Sequence, residues 1–175
     1  MNDELIVLAR DLGEALLARG WRLACAESCT GGLIAAAVTE IAGSSAWFER
    51  GFVTYANEAK MELLGVRADT LARDGAVSEA CVHEMVLGAL SRSHADLAVA
   101  VSGIAGPSGG SAEKPVGTVV IGWADIVGGV NVARFHFDGD RAAVREQAAH
   151  YALRGLLQRL APATDATDGL YLPEI

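Results

Sequence analysis

Lysine is nearly missing from this 175-residue chain: Lys60 and Lys114 stand beside twelve arginines. Arginine holds its proton at any working pH, so each retained lysine raises the question of what deprotonation would do at that position. Cysteine is also scarce, at three residues. An odd number in a chain of this size fits reduced thiols, not a disulfide framework. Basic residues fall short of acidic ones, 14 against 22, for a net charge of −8. That balance excludes the basic face of a nucleic-acid binder, while a small phosphorylated ligand still needs only one or two local cations. Hydrophobic residues make up 51% of the chain, yet charge or glycine interrupts every apolar run well short of the roughly 20 residues that span a bilayer. No membrane partner is expected. Met1-Asn2-Asp3-Glu4 is acidic where a signal peptide would be basic, so a cytoplasmic location is expected.

Metal-ligand spacing is lacking too. The four histidines form no His-x-x-x-His pair, and Cys25 and Cys29 have no second pair or nearby histidine. No metal is expected, and the thiols read as buried apolar groups. Neither Gly-x-Gly-x-x-Gly nor a P-loop occurs, so the familiar nucleotide fingerprints fail and no cofactor is implied.

What the chain does have is Ala26-Glu27-Ser28-Cys29-Thr30-Gly31-Gly32, which closes an apolar, strand-like run from Trp21 and opens an alanine-rich helix over 32–41. Such a junction leaves backbone N–H groups at a helix start beside hydroxyls that can cap the helix or attack a substrate. On local grounds both readings stand. Before it, leucines at 5, 8, 12 and 16 predict a helix over 2–19, with Asn2 or Asp3 as cap and Gly20 as the stop. After it, residues 51–55 alternate like a strand, and Asn57 is the expected cap of a helix carrying Lys60. Tyr55 and Lys60 thus fall where a strand ends and a helix begins, the usual place for sites in open α/β sheets. Locally, Lys60 also reads as a solvated lysine between Glu58 and Glu62.

A short helix over 69–73 and one from Glu79 to about Ser93, capped by Ser78, carry the chain to an apolar strand over 96–101. That strand runs into the glycine-rich stretch Ser102-Gly103-Ile104-Ala105-Gly106-Pro107. Ser111-x-x-Lys114 imitates the motif of penicillin-binding enzymes, but Pro115 pushes Lys114 out of the α region the motif requires. Strands over 116–123 and 130–137 around Gly128-Gly129 form a hairpin, giving the sheet an antiparallel element. Arg141 then opens the last helix, to about Leu160. A loose tail is expected from 161 to 175, with Leu170-Tyr171-Leu172 able to dock.

Six blocks in order, Ala26–Gly32, Val53–Lys60, Gly75–Ser78, Ser102–Pro107, Lys114–Thr118 and Gly139–Arg141, resemble the CinA C-terminal family, whose members include nicotinamide-nucleotide amidohydrolases. The resemblance covers roughly residues 5 to 160. It implies a single three-layer α/β/α domain with a mixed sheet over 1–160, and metal-independent hydrolysis of nicotinamide mononucleotide to nicotinate mononucleotide and ammonia. Carried onto this chain, it implies Ser28 as nucleophile, Lys60 as its base and Tyr55 as a hydroxyl that relays or orients the proton. Thr30, Gly31, Gly32, Asn57, Ser102, Gly103 and Arg141 are the expected substrate-binding residues, with the amides of 30 to 32 as the oxyanion hole and Arg141 on the phosphate. Lys114 is the second candidate cation. Ser102 stands where many relatives have Thr, and Ala56 where many have Ser. Cys29 is the rival nucleophile within the same motif. A non-catalytic nucleotide-binding or interaction module is the alternative function, which would have no need of Ser28, Tyr55 and Lys60 together. Trp47, Phe48 and Leu170 are the apolar candidates for a homodimer contact.

Overall fold

The computed structural model describes residues 3–161. Within them lies an α/β domain: a five-stranded mixed sheet covered by helices on both sides. In chain order the elements are α1 (Asp3–Arg19), β1 (Leu23–Glu27), α2 (Leu33–Thr39), β2 (Phe48–Val53), α3 (Asn57–Leu64) and α4 (Ala68–Asp74). They continue with α5 (Glu79–Ser91), β3 (Leu97–Gly103), β4 (Thr118–Asp125), β5 (Val130–His136) and α6 (Arg141–Leu160). The tail beyond Ala161, the docking of Leu170–Leu172 and a cap at Asn2 lie outside the described residues.

The sheet order is β2-β1-β3-β4-β5, with β1 parallel to both neighbours and β3-β4-β5 antiparallel. From β1 the chain crosses through α2 to β2 on one side, then returns through α3, α4 and α5 to β3 on the other. β1 is therefore the switch point, where the crossovers diverge and leave a crevice beyond the strand ends. Register fixes what meets there: Glu27 pairs with Val53 and Val101, so Ser28, Thr54 and Ser102 emerge side by side. Two backbone bonds continue the ladder past the strands, from Ser28 N–H to the Val101 carbonyl (3.0 Å) and from Thr54 N–H to the Glu27 carbonyl (2.8 Å).

The two faces of the sheet differ in side-chain size, and this sets the layers. Cys25, Val99, Val101, Ile121 and Trp123 face α1, α2 and α6, where large side chains fill the gap. Ala26, Ala98, Ala100 and Ala124 face α5, and at Gly122 an added Cβ would lie 2.9 Å from Val82 Cγ1. Small residues let α5 sit close on the sheet. At Gly88 a Cβ would collide with the Leu64 carbonyl at the end of α3, so α3 in turn sits close on α5.

Three expectations shift. β2 begins at Phe48, three residues before the expected start, because a 3₁₀ turn at Ser44–Ala46 brings the chain alongside Leu23 early. Tyr55 consequently lies past the strand end. Trp47 is only 2% exposed and packs on Gly13 of α1, and Phe48 is half-buried against the same cluster, so neither is the free apolar surface a dimer contact was drawn from. The cap of α3 is Ala56, with Asn57 its first residue, and no side chain caps that end. A helix start that lacks a Ser, Thr, Asp or Asn cap forgoes about 1 kcal/mol. Ala56→Ser should therefore raise stability by about that amount, read as a higher urea midpoint with unchanged slope.

Candidate active site

The turn after β1 is held from behind by a carboxylate. Helix α2 starts at Gly32, in the left-handed region at φ 98°, and has no side-chain cap of its own. Glu27, fully buried, supplies the missing acceptor from five residues upstream. Its Oε2 accepts from the amides of Gly32 (3.0 Å) and Ile34 (3.1 Å), and its Oε1 from Ala35 (2.9 Å). The Cys25 thiol adds a fourth contact, 3.6 Å from Oε1. An acidic group at the positive end of a helix satisfies both its orphan donors and its dipole. The Gly31 amide turns back to the Ser28 carbonyl at 3.0 Å. Gly31 and Gly32 therefore spend their N–H groups inside the turn and leave none for an oxyanion. The amides of Cys29 and Thr30 take no backbone acceptor among the described residues.

Ser28 is 8% exposed and Lys60 1%. Lys60 Nζ lies 3.1 Å from Ser28 Oγ, 2.8 Å from the Thr54 carbonyl and 3.3 Å from the Tyr55 carbonyl. Two of those partners are carbonyls, which only accept. A neutral amine has two N–H groups and one lone pair, so two donations to the carbonyls leave the lone pair to receive the Ser28 hydroxyl proton. Burial lowers the Lys60 pKa from the ordinary lysine value, against smaller opposing effects of Cys81 and Cys29. Among the described residues no carboxylate forms an ion pair with it. The hydroxyl and the amine thus lie within hydrogen-bond reach of each other, the geometry a nucleophile and its base require.

Cys29 follows Ser28 in the turn. It is 6% exposed, its Sγ lies 3.0 Å from where a Cβ of Gly103 would stand, and burial pushes its thiol up to about 12. Burial there opposes the thiolate form that a nucleophilic cysteine uses. Gly103 serves by having no side chain, since a Cβ would also meet Val119 Cγ2 at 2.8 Å.

A cleft of about 190 Å³ opens over the pair. Ser28, Lys60, Tyr55, Asn57, Ser102, Gly103 and Arg141 all line it, with Cys29, Ala76, Val77 and Ala105. Thr30, Gly31 and Gly32 do not line it; Thr30 is buried and its hydroxyl finds no partner. The Tyr55 phenol is 60% exposed and accepts from Arg141 Nη2 at 2.9 Å, so it is the Tyr55 carbonyl, not its hydroxyl, that reaches Lys60. Arg141 also donates to the Gly106 carbonyl at 2.8 Å, which places the guanidinium across the mouth. The anion at the α6 N-terminus is the protein's own Asp140, whose carboxylate accepts from the Ala143 amide. Lys114 donates to the Asp74 carbonyl at the end of α4 and does not line the cleft. Among the described residues no group of three or more His, Cys, Asp or Glu is placed to hold a metal ion, and no helix is long and apolar enough to cross a membrane.

Two residues with structural weight here were missed from sequence. Glu27 left a signal, since a helix opening on Gly-Gly has no cap of its own and needs an acceptor. Arg145 left none: its partners, the carbonyls of Cys29 (3.1 Å) and Thr30 (2.9 Å), lie more than a hundred residues away.

An open α/β domain with a buried hydroxyl–amine pair in the crevice of its switch point defines a protein built to act on a small ligand held at its strand ends. The chain belongs to the CinA family through its C-terminal domain, whose profile matches residues 6–160. It is 63% identical over 151 residues to the nicotinamide-nucleotide amidohydrolase PncC of Enterobacter agglomerans, covering 86% of this chain and 92% of that protein. To the PncC of Escherichia coli K12 it is 58% identical over 158 residues, covering 90% and 96%. In three dimensions it resembles the competence/damage inducible protein CihA of Agrobacterium tumefaciens, at TM-score 0.88 and 47% identity over 90% of this chain and 96% of that one.

Glu27→Gln replaces one accepting oxygen by a donor that faces amide N–H groups. It should cost about 2 kcal/mol or more, measured by chemical denaturation.

Proposed function

We propose that this chain hydrolyses the amide of nicotinamide mononucleotide, releasing nicotinate mononucleotide and ammonia, with Ser28 as nucleophile and Lys60 as base. The observation that carries the reading is the 3.1 Å contact of a buried, carboxylate-free lysine with the Ser28 hydroxyl. The similarity to proteins named nicotinamide-nucleotide amidohydrolase, at 58–63% identity over most of both chains, supports the substrate. A module that only bound a ligand or a partner would gain nothing from burying an unpaired lysine against a serine.

In this reading Ser28 Oγ attacks the amide carbon while its proton passes to Lys60 Nζ. Negative charge gathers on the former carbonyl oxygen, and the amide of Cys29, which lines the cleft beside Ser28, is the backbone donor at hand to receive it. The tetrahedral adduct collapses as the Lys60 ammonium protonates the leaving nitrogen, and ammonia departs from an acyl-serine. A water then attacks the acyl carbon, its proton taken by Lys60, and returning that proton to Ser28 Oγ frees nicotinate mononucleotide. Tyr55 acts on this scheme at two points: its carbonyl orients Lys60, and its phenol steadies Arg141. Asn57 and Ser102 line the chamber and contact the substrate's polar groups.

Ammonia release from nicotinamide mononucleotide in EDTA tests the reading. Ser28→Ala should abolish turnover with the fold intact, and activity within tenfold of wild type would overturn the nucleophile. Lys60→Arg should be nearly as damaging as Lys60→Ala, because guanidinium keeps the charge but accepts no proton. Since the amine must be deprotonated, kcat/KM should rise with pH through the lowered Lys60 value, an apparent constant of the Ser28/Lys60 unit. Stability has the same sign. The folded chain binds this proton less tightly than the unfolded one, so stability rises from the lowered value up to the ordinary lysine range.

For the phosphate, Arg141 is the fitting cation. Of its five N–H groups two are engaged by Gly106 and Tyr55, and the rest are free for an anion alongside amides of the loop after Ser102. Arg141→Ala should weaken nicotinamide mononucleotide by roughly 2 kcal/mol more than the unphosphorylated riboside. Equal losses in KM for the two substrates would move the phosphate site elsewhere.

A further inference from the structure

Arg145 does not line the cleft, yet it makes two charge-assisted bonds to the segment that carries Ser28. From the second turn of α6 its Nε donates to the Cys29 carbonyl at 3.1 Å and its Nη2 to the Thr30 carbonyl at 2.9 Å. The guanidinium lies over Gly31, 3.7 Å from where a Cβ would stand. It is half-buried and has no carboxylate partner in an ion pair among the described residues.

The consequence follows from the planarity of the peptide bond. In a trans peptide the C=O and the following N–H point in opposite directions. Drawing the Cys29 carbonyl toward Arg145 turns the Thr30 amide away from α6, and drawing the Thr30 carbonyl the same way leaves the Gly31 amide to close on Ser28. Glu27 meanwhile takes the amides of Gly32, Ile34 and Ala35. The backbone groups of the turn are thus divided: carbonyls to an arginine, helix amides to a carboxylate, and the amide of Cys29, which lines the cleft, to neither.

We infer that Arg145 is a positioning residue for hydrolysis, fastening the turn at the Cys29 and Thr30 carbonyls so that Ser28 and the Cys29 amide are held at the cleft. The inference rests on Ser28 being the nucleophile. It predicts a loss confined to the transition state. Removing an oxyanion donor outright costs about 10²–10³ in kcat, and misaligning one should cost less.

The test is steady-state kinetics of Arg145→Gln and Arg145→Lys on nicotinamide mononucleotide, with thermal unfolding of each variant and Ser28→Ala alongside. Arg145→Gln should lower kcat about 30-fold with KM within threefold and the pH midpoint of kcat/KM unmoved, because Lys60 is untouched. Arg145→Lys, which can reach one carbonyl, should recover part of kcat. A kcat for Arg145→Gln within threefold of wild type would overturn the inference, as would a moved pH midpoint or a loss that appears only in KM. If the Gln variant does not fold, Arg145→Lys decides: a five- to tenfold loss in kcat supports the role and wild-type kcat refutes it. An active Ser28→Ala would instead remove the reading beneath it.

Discussion

A single buried carboxylate fixes the geometry on which the rest depends. Glu27 ends β1 and accepts from three amides of α2, so strand and helix are joined at a set angle with Ser28 at the bend between them. Among the described residues it forms no ion pair, and its partners are the N–H groups, the helix dipole and the Cys25 thiol. Because those amides are consumed, the helix start offers nothing to a substrate. The same economy recurs at α6, where Asp140 occupies the N-terminus. The N-termini of α2 and α6 thus each hold a carboxylate of the chain itself.

Lys60 is buried with no ion-pair partner among the described residues. Two carbonyls orient its amine, and desolvation lowers its pKa from the ordinary lysine value. A carboxylate in that place would hold the proton and reverse the shift. Burial acts on the adjacent Cys29 thiol in the other direction, raising its pKa, so one apolar environment favours the uncharged form of both groups.

Much of this was legible in the sequence because it is local or patterned. Ser78 and Asp140 cap their helices as their positions imply, the hairpin at Gly128-Gly129 is antiparallel, and α1 ends at Gly20. Strand ends next to helix starts placed Ser28, Lys60, Ser102 and Arg141 at one edge of the sheet. What escaped depends on distance or on atoms a sequence does not distinguish. The start of β2 is set by its parallel partner, not by its own alternation, and Trp47 is buried by Gly13, thirty-four residues away. Tyr55 was expected to present its hydroxyl to the Ser28/Lys60 pair, but which of its oxygens faces Lys60 is a matter of backbone direction. Arg145 stands for the limit of the method, since its partners are main-chain carbonyls common to every residue.

Arg141 and Arg145 lie four residues apart on α6, so they share a face about one helical turn apart. One reaches the mouth of the cleft and the other the back of the turn that bears Ser28. The helix therefore acts as a ruler of fixed length between entrance and reacting bond. A larger substrate could not be admitted by swinging α6 outward without unfastening the Ser28 turn as well. Room for a larger ligand would have to come from the walls that α6 does not carry, the glycine-rich loop after β3 and the start of α3.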